Sequence, residues 1–177
     1  AKRDQNEFWK DGKEHEDIGI GAQIWEVDED YIQTLGINLI KGRNFSPDIA
    51  GDSTALIINE SMAKKMGFEN PIGQRITNGF RPTFTIIGLI EDFHFESMKG
   101  RITPLSLSLG RGTPATLAVK VKVEEAESTI KEMTKLWDDF LPNQPMRYTF
   151  LDERFAKMYR EVERTGNIFT GFSILAI

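Results

Sequence analysis

Two histidines, no cysteine and a scatter of carboxylates are what this 177-residue sequence offers for chemistry. Without cysteine there are no disulfides, zinc–thiolate centres or cysteine nucleophiles. Gly51-Asp52-Ser53 faintly resembles a hydrolase nucleophile block. Such a serine needs an imidazole base oriented by a carboxylate, and only His15 and His94 are available. His15 stands in the charged run Glu14 to Asp17, which reads as a solvated turn. His94 stands between Phe93 and Phe95 and reads as a loop histidine packed by its aromatic neighbours. Asp28, Glu29 and Asp30, and again Glu91, Asp92 and Glu96, offer oxygens to a cation. Neither set has the glycine and terminal glutamate of a calcium loop, and the first reads more simply as a helix start. Gly19-Ile20-Gly21 begins like a dinucleotide loop but lacks the third glycine. No GxxxxGK[ST] occurs, so any ATP hydrolysis belongs to another chain. Asn44-Phe45-Ser46 and Asn59-Glu60-Ser61 match the glycosylation pattern. The first precedes Pro47, the second reads as a helix cap, and both are taken as coincidence. The residues point to no catalytic, cofactor or metal site, and the expectation is that the chain is not an enzyme.

Several elements would have to position such groups. Ile20, Ala22 and Ile24 alternate with Trp25 and Val27 on the opposite face, which predicts a strand over 19–27. Asp28 is placed to cap a short helix that ends at Gly36, and Ile37 to Ile40 reads as a second strand. Near the other end, Leu117, Val119, Val121 and Val123 alternate against Lys120 and Lys122, predicting a half-buried strand over 116–123. Glu124 to Leu141 then places Ala126, Ile130, Met133, Trp137, Phe140 and Leu141 on one helical stripe stopped by Pro142. Met146 to Leu151 reads as a further strand. Between these two strand–helix–strand units the texture changes. Ala55 to Ile58 is a short apolar strand, and Asn59 can cap a helix through Met62, Ala63 and Met66 that ends at Gly67. Pro71 and Gly73 mark a turn. Phe84 to Ile90 and Pro104 to Leu109 read as strands. Gly36, Gly67 and Gly73 suit positive φ. Arg43, after Gly42, is placed to anchor a turn by pairing with a carboxylate.

The expected fold is α+β. Residues 1–44 and 113–151 form one discontinuous lobe of two strand–helix–strand units, and residues 45–112 form a smaller inserted α+β lobe. Residues 152–177 are expected to be a stalk helix, with Phe155, Met158, Tyr159 and Val162 on one stripe, running into an uncharged tail from Ile168. A membrane-spanning helix needs about 20 apolar residues, and the tail has roughly half of them, as if cut just inside a span. The net charge of −5 and the lack of a basic stripe argue against nucleic acid. No long exposed apolar face is legible, so the isolated chain is expected to be monomeric.

A set of phrases resembles one family. They are Tyr31-Ile32-Gln33-Thr34-Leu35-Gly36-Ile37, Gly42-Arg43-Asn44-Phe45-Ser46, Ile57 to Gly67, and Asn70-Pro71-Ile72-Gly73. Ile86 to Phe95 with Pro104-Leu105 follows, then Leu151-Asp152-Glu153-Arg154-Phe155 and Tyr159. In this order and spacing, over about residues 25–177, they resemble the MacB-like periplasmic core domain of FtsX-type ABC permeases. The Asp92-Phe93-His94-Phe95 phrase and the stalk are most similar to large Bacteroidetes-type permeases with two such domains, this one resembling the second. The resemblance implies a porter-like lobe with an inserted lobe called Sabre, and membrane helices on both sides. It implies a dimeric permease in the inner membrane with this domain in the periplasm. A separate cytoplasmic ATP-binding subunit and often a periplasmic adaptor are the implied partners. The implied work is coupling of ATP hydrolysis to transport or to periplasmic movement. The alternative reading is a ligand-sensing domain between membrane helices.

Overall fold

The computed structural model of the chain describes residues 2–14, 18–78, 83–93, 102–110 and 116–151. The chain divides into two compact units, residues 1–120 and 121–177. The first carries β1 (Lys2–Lys10), β2 (Ile20–Val27), α1 (Tyr31–Leu35), β3 (Leu39–Gly42), β4 (Ala55–Asn59), α2 (Glu60–Lys65), β5 (Arg75–Thr77), β6 (Phe84–Ile90) and β7 (Leu105–Leu109). A 3-10 turn, Ala50–Thr54, leads into β4. The second unit carries α3 (Ala126–Phe140) behind a 3-10 turn over Val123–Glu125.

Strand pairing in the first unit runs β1–β2–β7–β4–β6–β5 and returns from β5 to β1. The sheet therefore closes on itself, and each strand in the ring has two strand neighbours, though the β1–β5 contact is limited to Trp9 and Lys10. β3 is added outside the ring, antiparallel to β6. β6 can serve two strands on one side because it pairs with β5 at Phe84 and Thr85 and with β3 from Gly88 to Ile90.

The two faces of the wall explain the apolar pattern. One buried cluster takes Phe8, Ala22, Ile24, Leu56, Ile58, Ile76, Phe84 and Ile86 from around the ring, with Met62 and Ala63 of α2 and Met66 just past its end laid into it. The other takes Trp25, Val27, Ala55, Ile57, Leu105 and Leu107, covered by Ile32 of α1 and by Phe45. Every residue of β4 is buried, because β4 has strands on both edges and a cluster on each face.

The helix ends follow their sequence signals. Gly36 has φ +67 and Gly67 has φ +68. In each case the glycine N–H bonds three residues back and the next N–H bonds five back, from Ile37 to Ile32 and from Phe68 to Ala63. That is the Schellman arrangement. Gly42 was not expected in a left-handed conformation but has φ +80, and a Cβ there would run into the Ile87 carbonyl. Ile87 is the extra residue of a bulge in β6, since the β4 register steps from Ile86 to Gly88. Its carbonyl turns toward β3 and accepts from the Arg43 N–H at 3.0 Å.

Several expectations need correction. The expected partition placed 20–27 in a different lobe from 55–59, 84–90 and 105–109, yet β2 lies in the same ring as β4, β6 and β7. Alternation shows which faces of a strand are buried but not which strands flank it. β1 and β5 were missed because β1, read as Lys-Arg-Asp-Gln-Asn-Glu-Phe-Trp-Lys, is nearly all polar and is held by its neighbours' ladders rather than by an apolar face. The first residue bounding α1 is Asp30, which makes no side-chain cap, rather than Asp28. The second strand of that unit starts at Leu39, two residues later than expected. Residues 116–122 and 145–150 carry no regular structure and pair with no strand among the described residues. The expected stalk at 152–177 lies outside the described residues.

Candidate functional site

The most elaborate polar group in the first unit surrounds Asp52. Arg43 leaves β3 and donates from Nη1 to Asp52 Oδ2 at 2.8 Å and from Nη2 to Oδ1 at 2.6 Å. The Ser46 N–H donates to Oδ2 at 2.8 Å. The Asp52 side chain is 1% exposed and that of Arg43 is 43% exposed. The guanidinium fork matches the carboxylate in a two-point contact. Hydrogen bonding from Arg43 holds the Asp52 carboxyl below its ordinary range, against the opposing effect of burial, with Ser46 and the Arg43 charge adding to it. The same hydrogen bond raises Arg43, again against desolvation. Asn44, next in the chain, donates to the Glu29 carbonyl at 2.6 Å and accepts from the Phe45 N–H at 2.8 Å. The Gly42-to-Ser46 phrase thus fastens the start of α1 and the turn before β4 to the edge of the ring.

A second node joins β4, α2, β6 and β7. Asn59 is fully buried. Its Oδ1 accepts from the N–H of Met62 at 3.0 Å and of Leu105 at 2.9 Å, while Nδ2 donates to the Thr103 carbonyl at 3.1 Å. One side chain therefore caps α2 and starts β7. Asp92, just past β6, accepts from the Ser61 N–H at 2.9 Å and from its hydroxyl at 2.6 Å. The Asp92 N–H donates to Glu60 Oε2 at 3.2 Å. Phe93 meets Trp25 edge to face, with ring centroids 6.5 Å apart.

The residues singled out for chemistry are thereby accounted for. Asp52 is engaged by Arg43, and Ser53 donates to the Ala50 carbonyl within its own turn. Asp92 anchors α2 instead of joining Glu91 as a cation site, and Glu91 accepts from Asn38 Nδ2 at 3.3 Å. Among the described residues no three histidine or acidic side chains lie close enough to share a metal ion. Asn59, in the second glycosylation-like triplet, is inaccessible to any modifying enzyme in the folded state. His15, His94 and Glu96 lie outside the described residues. Arg43 was expected to find a carboxylate, but nothing local identifies Asp52. Asp92 as the anchor of Ser61, 31 positions away, has no sequence signal at all.

The second unit presents a different surface. No residue of α3 is buried. Met133, Leu136, Trp137, Phe140, Leu141 and Met146 line an open apolar groove of about 320 Å³. Trp137 Nε1 donates to the Gln144 carbonyl at 2.6 Å, folding the turn after Pro142 back on the helix. Phe140 is 82% exposed and Leu136 59%. This is an exposed apolar face of the kind the sequence was read as lacking. Among the described residues no helix is long and apolar enough to cross a membrane.

Comparison with known families matches residues 6–136 to the MacB-like periplasmic core domain. The chain belongs to that family. It is 28% identical, over 120 residues, to the macrolide export ATP-binding/permease protein MacB of Aggregatibacter actinomycetemcomitans. That match covers 63% of this chain and 18% of the relative, so the chain spans under a fifth of the relative's length. Among solved structures, the periplasmic region of MacB from Actinobacillus actinomycetemcomitans superposes with a TM-score of 0.62 at 16% identity, covering 91% of this chain and 72% of that one. The extracellular domain of the ABC-type transporter YknZ from Gram-positive bacteria gives 0.53 at 18% identity, covering 81% and 74%. The mixed α+β architecture is the fold of the MacB periplasmic region and the YknZ extracellular domain.

Proposed function

We propose that this MacB-like periplasmic core domain is the extracytoplasmic part of an inner-membrane ABC permease. Here it takes up conformational work from a cytoplasmic ATP-binding subunit and makes or breaks no covalent bond itself. The observation that carries the reading is the family match across both compact units, up to residue 136. The polar groups support it, since Asp52, Ser53, Asn59 and Asp92 are committed to holding elements together. A coupling domain needs units that keep their own shape while their posture changes. The partners are the ATP-binding subunit, a second permease copy and, in the adaptor-dependent variant of this reading, a periplasmic adaptor. A ligand sensor would instead call for an enclosed pocket with converging polar groups, whereas the groove along α3 is open and apolar.

The stalk is the part of this proposal most open to test. Met158 lies outside the described residues, on the Phe155, Met158, Tyr159 and Val162 stripe. Proline inside a helix costs about 3 kcal/mol or more and kinks the axis. In the full-length permease with its ATP-binding subunit, Met158→Pro should abolish transport while dimer assembly and basal ATP hydrolysis survive. Transport at the normal rate would reduce this segment to a tether and remove the coupling role.

A further inference from the structure

The two buried clusters of the first unit are enclosed in different ways. The ring itself surrounds the cluster of Phe8, Leu56 and Ile86. The cluster of Trp25, Ile57 and Leu107 lies on the other side of the wall and depends on a cover. That cover has two pieces, and neither belongs to the ring. α1 is five residues long, contributes Ile32 as its buried side chain and has no side-chain cap at its start. The loop 44–51 contributes Phe45. The ends of this loop are drawn together by the two-point contact between Arg43 and Asp52, nine positions apart. A compact loop with closed ends, packed by its own side chain, is an Ω-loop.

Ladders join β2 to β7, β7 to β4 and β4 to β6 whether or not the cover is in place. The cover is held more narrowly. Ile32 and Phe45 are its buried anchors. Asn44 Nδ2 donates to the Glu29 carbonyl at 2.6 Å and so joins the loop to the start of α1. Both pieces are rooted on β6 or just past its end. The Asn38 carbonyl, after α1, accepts from the Glu91 N–H at 3.0 Å, and the Arg43 N–H, before the loop, donates to the Ile87 carbonyl at 3.0 Å. Segments with few buried apolar contacts open locally at lower free energy than the elements beneath them. We propose that α1 and the loop 44–51 form a two-piece lid that lifts from the ring as one unit and uncovers Trp25, Ile57 and Leu107. Asn44 is the tie between the pieces, and the Arg43–Asp52 pair is the latch that closes the loop. The inference rests on packing within the first unit, so failure of the coupling reading would leave it standing.

Amide hydrogen exchange of the 177-residue chain, followed by NMR at rising urea below the unfolding transition, reads such openings. Thr34 and Ile37 donate to carbonyls of the α1 region, and Ile49 and Asp52 donate within the loop and its closing turn. These four amides should share one opening level. Corrected for intrinsic rates, they should exchange about tenfold or more faster than the ladder amides of β4. Arg43→Ala should speed Thr34 and Ile37 as much as Ile49 and Asp52, although Arg43 bonds to Asp52 and Asn44 in the other piece. Arg43→Lys repeats the measurement if the alanine variant fails to fold. Asn44→Asp keeps the acceptor for the Phe45 N–H and removes the donor to Glu29, so it should part the two pairs of amides to separate levels. Separate levels already in the unmodified chain would overturn the proposal, because the pieces would then move independently. So would exchange of all four amides at the level of β4, which is opening by global unfolding alone. A response to Arg43→Ala confined to the loop, or a common level retained in Asn44→Asp, would do the same.

Discussion

Asp52 is the only acidic side chain among the described residues that is buried, and its partner Arg43 reaches it from the rim of the sheet. Removing Arg43 strands a buried carboxylate. Removing Asp52 frees a half-exposed guanidinium and leaves the Ser46 N–H without its acceptor. Arg43→Ala should therefore cost about 2–3 kcal/mol in urea unfolding. Arg43→Lys should recover only part of it, because an ammonium cannot reproduce the two-point contact. The pH dependence has a definite sign. The Asp52 carboxyl is held below its ordinary range in the folded state. Its contribution is fully present above about pH 4, the usual carboxylate value in an unfolded chain. It is lost as the pH falls through the lowered folded value. The stability gap between the wild type and Asp52→Asn should be constant from neutral pH down to that range and close below it. A gap that widened on acidification would contradict the assignment.

At the scale of elements, the junction of β4, α2 and β7 turns on one amide. Asn59 supplies a helix cap, the acceptor that starts β7 and the donor to Thr103. A cap is worth about 1 kcal/mol, and each buried polar group left without a partner costs about 1–3 kcal/mol. Asn59→Ala should destabilise the first unit by about 3 kcal/mol or more, and Asn59→Asp should not rescue it, because a carboxylate cannot donate to the Thr103 carbonyl. Urea titration of both variants, followed by circular dichroism, tests this, and a loss below about 1 kcal/mol would mean that only the cap counts. The sequence shows Asn59 as a cap and shows β4, α2 and β6 at nearly the right bounds, because these are local signals of periodicity, capping and glycine. It does not show that the same amide reaches Thr103 and Leu105, more than forty positions on. The close approach of the chain leaving β3 to its neighbour β6 was equally hidden. A Cβ on Gly88 would lie 2.7 Å from the Arg43 carbonyl, and nothing near Gly88 in the chain announces that approach.

At the scale of the molecule, the closed ring makes the first unit self-sufficient. Both buried clusters and all the strand ladders among the described residues lie within residues 1–120. A chain ending at Lys120 should fold cooperatively, with a urea midpoint close to that of the first transition of the 177-residue chain. Trp25, buried against Phe93, reports on it by fluorescence, while Trp137 belongs to the second unit. An unfolded or molten 1–120 fragment would show that residues beyond 120 are needed to close the ring. Residues 121–151, whose helix has no buried residue, are expected to gain little protection from hydrogen exchange on their own.

The sequence by itself determined the local pieces and the family. Periodicity, capping and left-handed glycines are written within a few residues of where they act, and several of the family phrases contain those same turns. What only the tertiary structure decided is partnership. β1 is polar and becomes a strand because β2 and β5 present it with open ladders. Segment 116–123 has the better strand pattern and pairs with no strand among the described residues, while β2 is flanked by β1 and β7. A strand is completed by backbone groups on another part of the chain, and side-chain alternation carries no address for them.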